Sequence, residues 1–331
     1  MMQQRRGLFR WSMAACLGGL ILVGMLAGPA VAQQTLPLKV GLMRIVGVIP
    51  TYAAIDRGFF KEAGVDFQPT DMAGGAVILP AISGGSLDVG FTNVVSLFMA
   101  RDQGFDYTIV AGNTYENKIL KPDSPLGYIG TSALMVLPDS PIKTVKDLEG
   151  KTIAINTRRT ILTMAVEELM SQKGADPSTV KWIEVPFPRM AAPLKMKQVD
   201  AIMDVQPFVT IFEAKEGLRV LDYPLAGIRK ETIPVALWAA REAWMRDNRE
   251  VLNRFIKANN KGIEYVNQYP EERKRLAAAN LKMDPKVAER VVWQLWKTKV
   301  DIDDLQWVSD LALKWKLIQK KQNVRSFVYQ P

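Results

Sequence analysis

Apolar and polar positions alternate along this chain with two different periods. Residues 38–42 (Leu-Lys-Val-Gly-Leu) form an apolar run of strand length. Helical spacing follows across Tyr52, Ala53, Ile55 and Phe59, interrupted at Gly58; a further turn over 59–63 stops at Gly64. Residues 65–69 read as the next strand. Gly74-Gly75 open a helix over 76–82 that Gly84-Gly85 close; 87–91 read as strand, 93–101 as helix and 107–111 as strand. Strand and helix alternating at this spacing predict a parallel sheet with helices on both faces.

The same unit recurs further along. Residues 151–155 read as strand and 161–172 as helix, with Gly174 and Asp176 after it; 180–185 read as strand, 190–196 as a helix disturbed by Pro193, and 199–203 as strand. Asp66 and Asp88 are 22 residues apart, Asp176 and Asp200 are 24 apart, so the spacing repeats with the order. Two such units predict two doubly wound α/β lobes with a crevice at the carboxyl ends of their strands, where ligands of these sheets bind. Beyond residue 240 the period is helical throughout, over 241–269, 270–281, 285–298 and 303–319. Trp293 with Trp296, and Trp307 with Leu311 and Trp315, fall at helical spacing and read as one buried helix face each.

One apolar run has another meaning. Residues 11–31 are apolar, follow Arg5, Arg6 and Arg10, and end in Pro29-Ala30-Val31-Ala32. A basic start, an apolar middle and an A-x-A end predict a secretory signal peptide over 1–32, cleaved after Ala32, and hence a periplasmic protein. Most of the apolar run lies after Cys16, the wrong side for cleavage and lipidation there. Removal takes three arginines and lowers the net charge from +9 to +6. No later run approaches the length that spans a bilayer, so the mature chain is expected to be soluble and monomeric.

Composition excludes several chemistries. There is no His, and Cys16 is the one Cys among 331 residues. His-based triads, His-ligated zinc and thiolate clusters are therefore ruled out, and no cofactor is expected. Asp301-Ile302-Asp303-Asp304 lacks the Gly and distal Glu of a calcium loop and reads as a helix cap, so no metal is expected. The basic run of Lys314, Lys316, Lys320, Lys321 and Arg325 is interleaved with Trp315, Leu317 and Ile318. It reads as an amphipathic helix with a solvated face rather than a nucleic-acid site.

Four strings carry a family resemblance: residues 52–66 (YAAIDRGFFKEAGVD), 84–90 (GGSLDVG), 144–154 (TVKDLEGKTIA) and 198–201 (QVDA). They resemble the nitrate/sulfonate/taurine-type periplasmic binding proteins of ABC transporters, a group that includes binders of thiamine-pyrimidine precursors. The resemblance implies a periplasmic-binding-protein-like fold of type II, its lobes joined by two crossing strands near 126–134 and 226–235. It implies lobe 1 over 33–128 and 231–331, with the C-terminal helices packed on it, and lobe 2 over 129–230. It also implies capture of a small solute by lobe closure and delivery to a membrane permease, or a sensing role; two aromatic rings in the cleft beside its arginines would make that solute a small organic anion, an organosulfonate (taurine-like) or aromatic carboxylate. A pyrimidine-synthase branch shares this fold, but its chemistry relies on His and a Cys-rich segment, which residues 33–331 lack.

Candidate ligand contacts follow from the strand ends. Arg44 follows the first strand; Thr51 and Tyr52 begin the first helix. Gly74 and Gly75 lack a Cβ and let backbone N–H groups approach a ligand. Thr92 and Asn93 follow the third strand, where the alternative is helix capping. Thr157, Arg158, Arg159 and Thr160 sit where a helix opens, and the two guanidinium groups beside a helix start predict an anion seat, one arginine inward and one outward. Among the aromatics Tyr52, Tyr115, Phe187, Phe208 and Trp238, the core is the default; Phe187 lies in a Pro-Phe-Pro loop at a strand end. Asp204 suits either an amine or ring N–H of the ligand or an arginine of the cleft.

Overall fold

The alternation of short apolar runs with helical stretches resolves into two sheets. The computed structural model describes residues 34–330. The signal peptide, its cleavage after Ala32 and Cys16 lie outside the described residues. The first stretch gives β1 (Leu36–Leu42), α1 (Ile49–Asp56), α2 (Phe59–Glu62), β2 (Val65–Asp71), α3 (Gly75–Ser83), β3 (Val89–Asn93), α4 (Val94–Asp102) and β4 (Tyr107–Glu116). A hairpin of β5 (Ile119–Leu120) and β6 (Tyr128–Ile129) leads to β7 (Ser132–Val136). Then come β8 (Thr152–Ile155), α5 (Ile161–Gln172), β9 (Lys181–Glu184), α6 (Ala191–Lys195), β10 (Ala201–Val205), α7 (Phe208–Glu216), β11 (Arg219–Asp222) and α8 (Pro224–Ile228). The last stretch holds β12 (Ile233–Arg241), α9 (Glu242–Asp247), α10 (Arg249–Gln268), α11 (Pro270–Leu281), α12 (Pro285–Ala288), β13 (Leu295–Trp296) and α13 (Ile302–Lys314).

The two sheets repeat one topology. The first runs β2-β1-β3-β12-β4-β13 and the second β9-β8-β10-β7-β11. In each, three parallel strands meet an antiparallel fourth. That fourth strand is the one that enters from the other half of the chain: β7 follows the first sheet, β12 follows the second. The repeated Asp residues have one structural job. The Lys39 N–H donates to the Asp88 carboxylate at 2.8 Å while the Asp88 N–H donates back to the Lys39 carbonyl. Thr152 and Asp200 make the same pair, also at 2.8 Å. Each Asp closes a ladder where its strand begins, so the Leu-Asp-Val and Val-Asp-Ala strings serve register.

Gly58 and Gly64 stop the first two helices with φ of 73° and 67°, the left-handed region that a Cβ disfavours. One buried apolar cluster runs through both sheets. A second lies under the C-terminal helices, where Val46, Ile49 and Ala53 meet Ile263, Val266 and Leu276. Phe60, Phe67 and Phe255 stack between α2, β2 and α10, with Phe60 and Phe67 4.2 Å apart.

The chain passes from the first sheet to the second between Glu116 and Ser132. Glu116 is fully buried there and accepts from the Thr131 N–H at 2.9 Å, the Thr131 hydroxyl at 2.7 Å and the Ser132 hydroxyl at 3.2 Å. It returns through residues 229–232, where Arg229 pairs with Asp304 of α13 at 2.8 Å and lies over the Trp307 ring.

Three helical expectations fail. Residues 285–298 are not one helix: α12 ends at Ala288, and Leu295 and Trp296 pair with Tyr115 and Thr114 on the edge of β4. The indole N–H of Trp296 donates to the Gly47 carbonyl at 3.1 Å. That sheet edge supplies backbone and side-chain partners together, and it outweighs the helical spacing of Trp293 and Trp296. Residues 241–269 break at Asn248 into α9 and α10. α13 stops at Lys314, and its buried face is Leu305, Val308, Leu311 and Ala312, with Trp307 and Trp315 half-buried at its side. Asp301 caps α13 as expected, accepting from the Asp304 N–H at 3.0 Å. Among the described residues no helix is long and apolar enough to cross a membrane.

Two outcomes are expected for stability. A Cβ at Gly262 of α10 would lie 2.2 Å from the Pro50 carbonyl and 3.0 Å from Ala54 of α1. Gly262→Ala should therefore cost about 1–3 kcal/mol in chemical unfolding, because two helix backbones must separate. Burial pushes the Glu116 carboxyl up to about 7 and the Glu167 carboxyl also up to about 7. Both are raised above their unfolded values, so the folded state takes up protons first and stability rises as pH falls from about 8 to about 5.5. Thermal melts should show that rise, and Glu116→Gln should flatten it; a melting temperature that falls over this interval would contradict the assignment.

Candidate functional site

Parallel strands deliver their loops to one edge, and here the two sheets turn those edges toward each other. The loops after β1, β2 and β3 face the loops after β8, β9 and β10. Between them lies a chamber of about 50 Å³. The first sheet supplies Met43, Ile45, Gly75 and Asn93; the second supplies Asn156, Thr160, Phe187 and Val205. Val235 and Ala236 of β12 line it as well.

Three helices begin at this chamber. α3 starts from Gly74 with no side-chain cap, so its first N–H groups have no partner within the helix. Asn93 caps α4 by accepting from the Ser96 N–H at 3.0 Å, and its amide donates to the Ser96 hydroxyl at 2.7 Å. Thr160 caps α5 in a reciprocal box with Thr163, whose hydroxyl accepts from the Thr160 N–H at 2.9 Å. Among the described residues no charged side chain lines the chamber. Its positive character comes from helix starts, each equivalent to about half a charge.

Two larger cavities flank it. One of about 420 Å³ runs along α3 and α4 and is bordered by Thr157, Arg158 and Arg159. The other, of about 260 Å³, is bordered by Arg44, Asp71, Pro186, Phe187 and Phe208.

Against this geometry the sequence candidates separate. Gly75, Asn93, Thr160 and Phe187 line the chamber. Gly74 faces it across the crevice: a Cβ there would lie 3.3 Å from the Asn156 amide and 3.6 Å from the Thr157 hydroxyl. Gly75 is required by close packing, since a Cβ would sit 2.5 Å from the hydroxyl of buried Thr92. Phe187 is buried, with its ring 6.3 Å from Phe208 in a stacked arrangement. Tyr115 and Trp238 are core.

Other candidates lie at the rim or elsewhere. Arg44 is exposed and paired with Asp71 at 2.5 Å. Tyr52 is half-buried beside this pair, its hydroxyl pushed up to about 12 by burial first and by Asp71 second. Thr51 points the other way, its hydroxyl donating to Asn259 of α10 at 3.3 Å. Arg158 and Arg159 do not stand on the helix start as expected. They precede it in a loop, because Thr160 takes the cap. The Arg158 N–H donates to Glu184 at 2.8 Å and its exposed guanidinium is 3.9 Å from that carboxylate. Arg159 adopts φ of 55° and reaches the Leu317 carbonyl at 3.4 Å. Among the described residues Asp204 pairs with no arginine. It is fully buried and accepts from the Val205 N–H at 2.8 Å; its second oxygen has no partner, and burial pushes its carboxyl well above the ordinary range. Val205 lines the chamber, so Asp204 beside it on the strand points to the opposite sheet face. Met43, Val205, Val235 and Ala236 carried no signal for the site, because apolar strand ends look like core.

Gly74 offers a direct check. Its φ of 163° is extended backbone open to any residue. Gly74→Leu should leave the melting temperature nearly unchanged, while its side chain wedges against Asn156 and Thr157. If the chamber holds a small molecule, calorimetry should show its affinity reduced about tenfold or more, the size of a lost packing contact.

Comparison with known proteins places the chain in a family. The sequence profile described as NMT1/THI5 like matches residues 46–273. A binding protein of Brucella abortus is 24% identical over 259 residues, covering 77% of this chain and 75% of the relative. The Saccharomyces cerevisiae 4-amino-5-hydroxymethyl-2-methylpyrimidine phosphate synthase THI11 is 22% identical over 228 residues, covering 66% of this chain and 63% of the relative. Among solved structures, the periplasmic aliphatic sulphonate binding protein SsuA of Escherichia coli superposes with a TM-score of 0.69 at 18% identity, covering 90% of this chain and 98% of that one. The chain belongs to the NMT1/THI5-like family, and its fold is the periplasmic-binding-protein fold: two doubly wound α/β lobes with C-terminal helices on the first.

Proposed function

We propose that this family member is the solute receptor of an ABC importer, exported to the periplasm by cleavage after Ala32. Lobe 1 comprises 33–128 with 231–331, and lobe 2 comprises 129–230. A small organic anion, organosulfonate or aromatic carboxylate, is held between them and delivered to a membrane permease. The observation that supports this reading is the chamber where α3, α4 and α5 all begin, with no carboxylate in its lining. Such a lining favours negative charge without a fixed counter-ion.

Capture needs no bond to break. A solute that touches Gly75 and Asn93 on one side and Thr160 and Phe187 on the other gains both sets of contacts only when the lobes are closed. Binding then shifts a pre-existing open–closed equilibrium. The passages at 117–131 and 229–232 are where such a motion turns. Arg44, Arg158 and Arg159 at the rims steer the approach of an anion rather than fix it in place.

A second reading has its own support. An uncharged chamber beside the stacked Phe187 and Phe208 also suits a flat heterocycle such as a pyrimidine, and the yeast relative is named as the synthase of a pyrimidine phosphate. As a binder, not a synthase, this chain would need no His, and it has none.

Native mass spectrometry of protein purified without refolding is expected to show a bound small molecule, and scattering to show compaction when it is restored to the stripped protein. A released neutral heterocycle would favour the second reading; an unaltered radius of gyration at saturation would contradict closure. Arg158→Ala with Arg159→Ala should slow association and weaken its salt dependence, with an affinity loss of about 1 kcal/mol or less, as for exposed charges.

A further inference from the structure

The central chamber is too small for the solute it is proposed to hold. Its volume is about 50 Å³, against roughly 30 Å³ for one water in the liquid and about 300–1,000 Å³ for ordinary small-molecule sites. It has room for a head group and little else. The cavity of about 420 Å³ lies beside it and has the size of a ligand site. The two are contiguous. Gly75 lines both. Ser96 of the larger cavity accepts from Asn93 of the chamber at 2.7 Å, and Thr157 of the larger cavity is next to Asn156 of the chamber.

Its walls are apolar where the head group is not. Leu79 and Pro80 of α3, Met99 and Ala100 of α4, and Phe105 beyond α4 form the floor and far end. At that end the Tyr107 hydroxyl bonds to Ser83 and donates to the Leu79 carbonyl at 2.6 Å, and Gln103 adds one exposed polar side chain at the rim. Phe105 stacks on Tyr107 at 5.7 Å yet remains 45% exposed, a large ring left open to solvent at the cavity's end. Charge enters at the other end, from Arg158 and Arg159, which are held by Glu184 and the Leu317 carbonyl. The cavity on the opposite flank carries Asp71 paired with Arg44, so an anion meets a carboxylate there.

We infer that the groove between α3 and α4 is an arm subsite: the solute is an elongated organic anion whose head group sits at Gly75 and Thr160 while its apolar arm lies over Leu79, Met99 and Ala100 toward Phe105. This rests on the organic-anion reading above and adds which part of the anion selects it. The arm displaces water from apolar wall, so affinity grows with arm length until the groove is full, by about threefold to fourfold per methylene.

Calorimetry with ethanesulfonate, butanesulfonate, hexanesulfonate and hexanoate on the whole protein tests this. The expected result is affinity that climbs with chain length in the unaltered protein. Ala100→Trp, which fills the groove, and Phe105→Ala, which removes its exposed end wall, should each flatten the climb while ethanesulfonate affinity holds. Equal affinity along the series, or a climb that neither variant alters, would overturn the arm subsite and leave the receptor reading standing. Absence of binding by every sulfonate and by hexanoate would overturn the arm subsite and the organic-anion reading together.

Discussion

A parallel strand and the helix that follows it point in opposite directions, so every helix N-terminus of a doubly wound sheet faces the same edge as the strand ends. The rest of this molecule depends on that constraint. It brings the N-termini of α3, α4 and α5 to one place, α3 without a side-chain cap and α4 and α5 capped by Asn93 and Thr160, with no charged side chain among the chamber's described lining residues. A single sheet would present such an edge to water, where hydration would satisfy it. Two sheets facing each other exclude that water and make the edges act on whatever lies between.

Holding two sheets edge to edge requires that each be fixed at its far end. Asp88 and Asp200 do this in the same way, each carboxylate taking a backbone N–H of the neighbouring strand. The passages between sheets are held differently. Glu116 ties the end of β4 to the start of β7 through three donors, and Arg229 ties the return to α13. A third tie joins Glu168 of α5 to Lys314 at 2.6 Å and to the Trp315 indole at 2.8 Å. The C-terminal helices thus pack on the first sheet and still touch the second.

Much of this was legible from residue order, and the failures have physical reasons. Period and glycine stops located the parallel strands, because local apolar patterning and left-handed stops such as Gly58 and Gly64 act within a few residues. The edge strand of Leu295 and Trp296 was not legible, since its partners on β4 lie about 180 residues away in the chain and override helical spacing. For the candidate site, residue order indicated the glycines and caps that line the chamber, while the charged candidates stand at its rims or, for Asp204, outside its lining. Gly74, Gly75, Asn93 and Thr160 are fixed by the local geometry of helix starts. Arg158, Arg159, Arg44 and Asp204 depend on Glu184, Leu317, Asp71 and the far sheet face, none of which a local string displays.

The displacement of charge from the centre to the rim has a consequence for selectivity. A buried guanidinium would reward any anion of suitable size, and would cost desolvation whenever the site stood empty. Helix starts attract more weakly than a guanidinium, and those of α4 and α5 are partly satisfied by their own caps, so on the receptor reading the head group supplies only part of the discrimination. What remains must come from shape and apolar contact, which here means Phe187 at the chamber and the wall of α3 and α4 beside it. If the proposed receptor reading holds, the protein distinguishes solutes by their bodies more than by their charge, and such a fold can change its solute through a few apolar side chains without disturbing the strand ends that define the crevice.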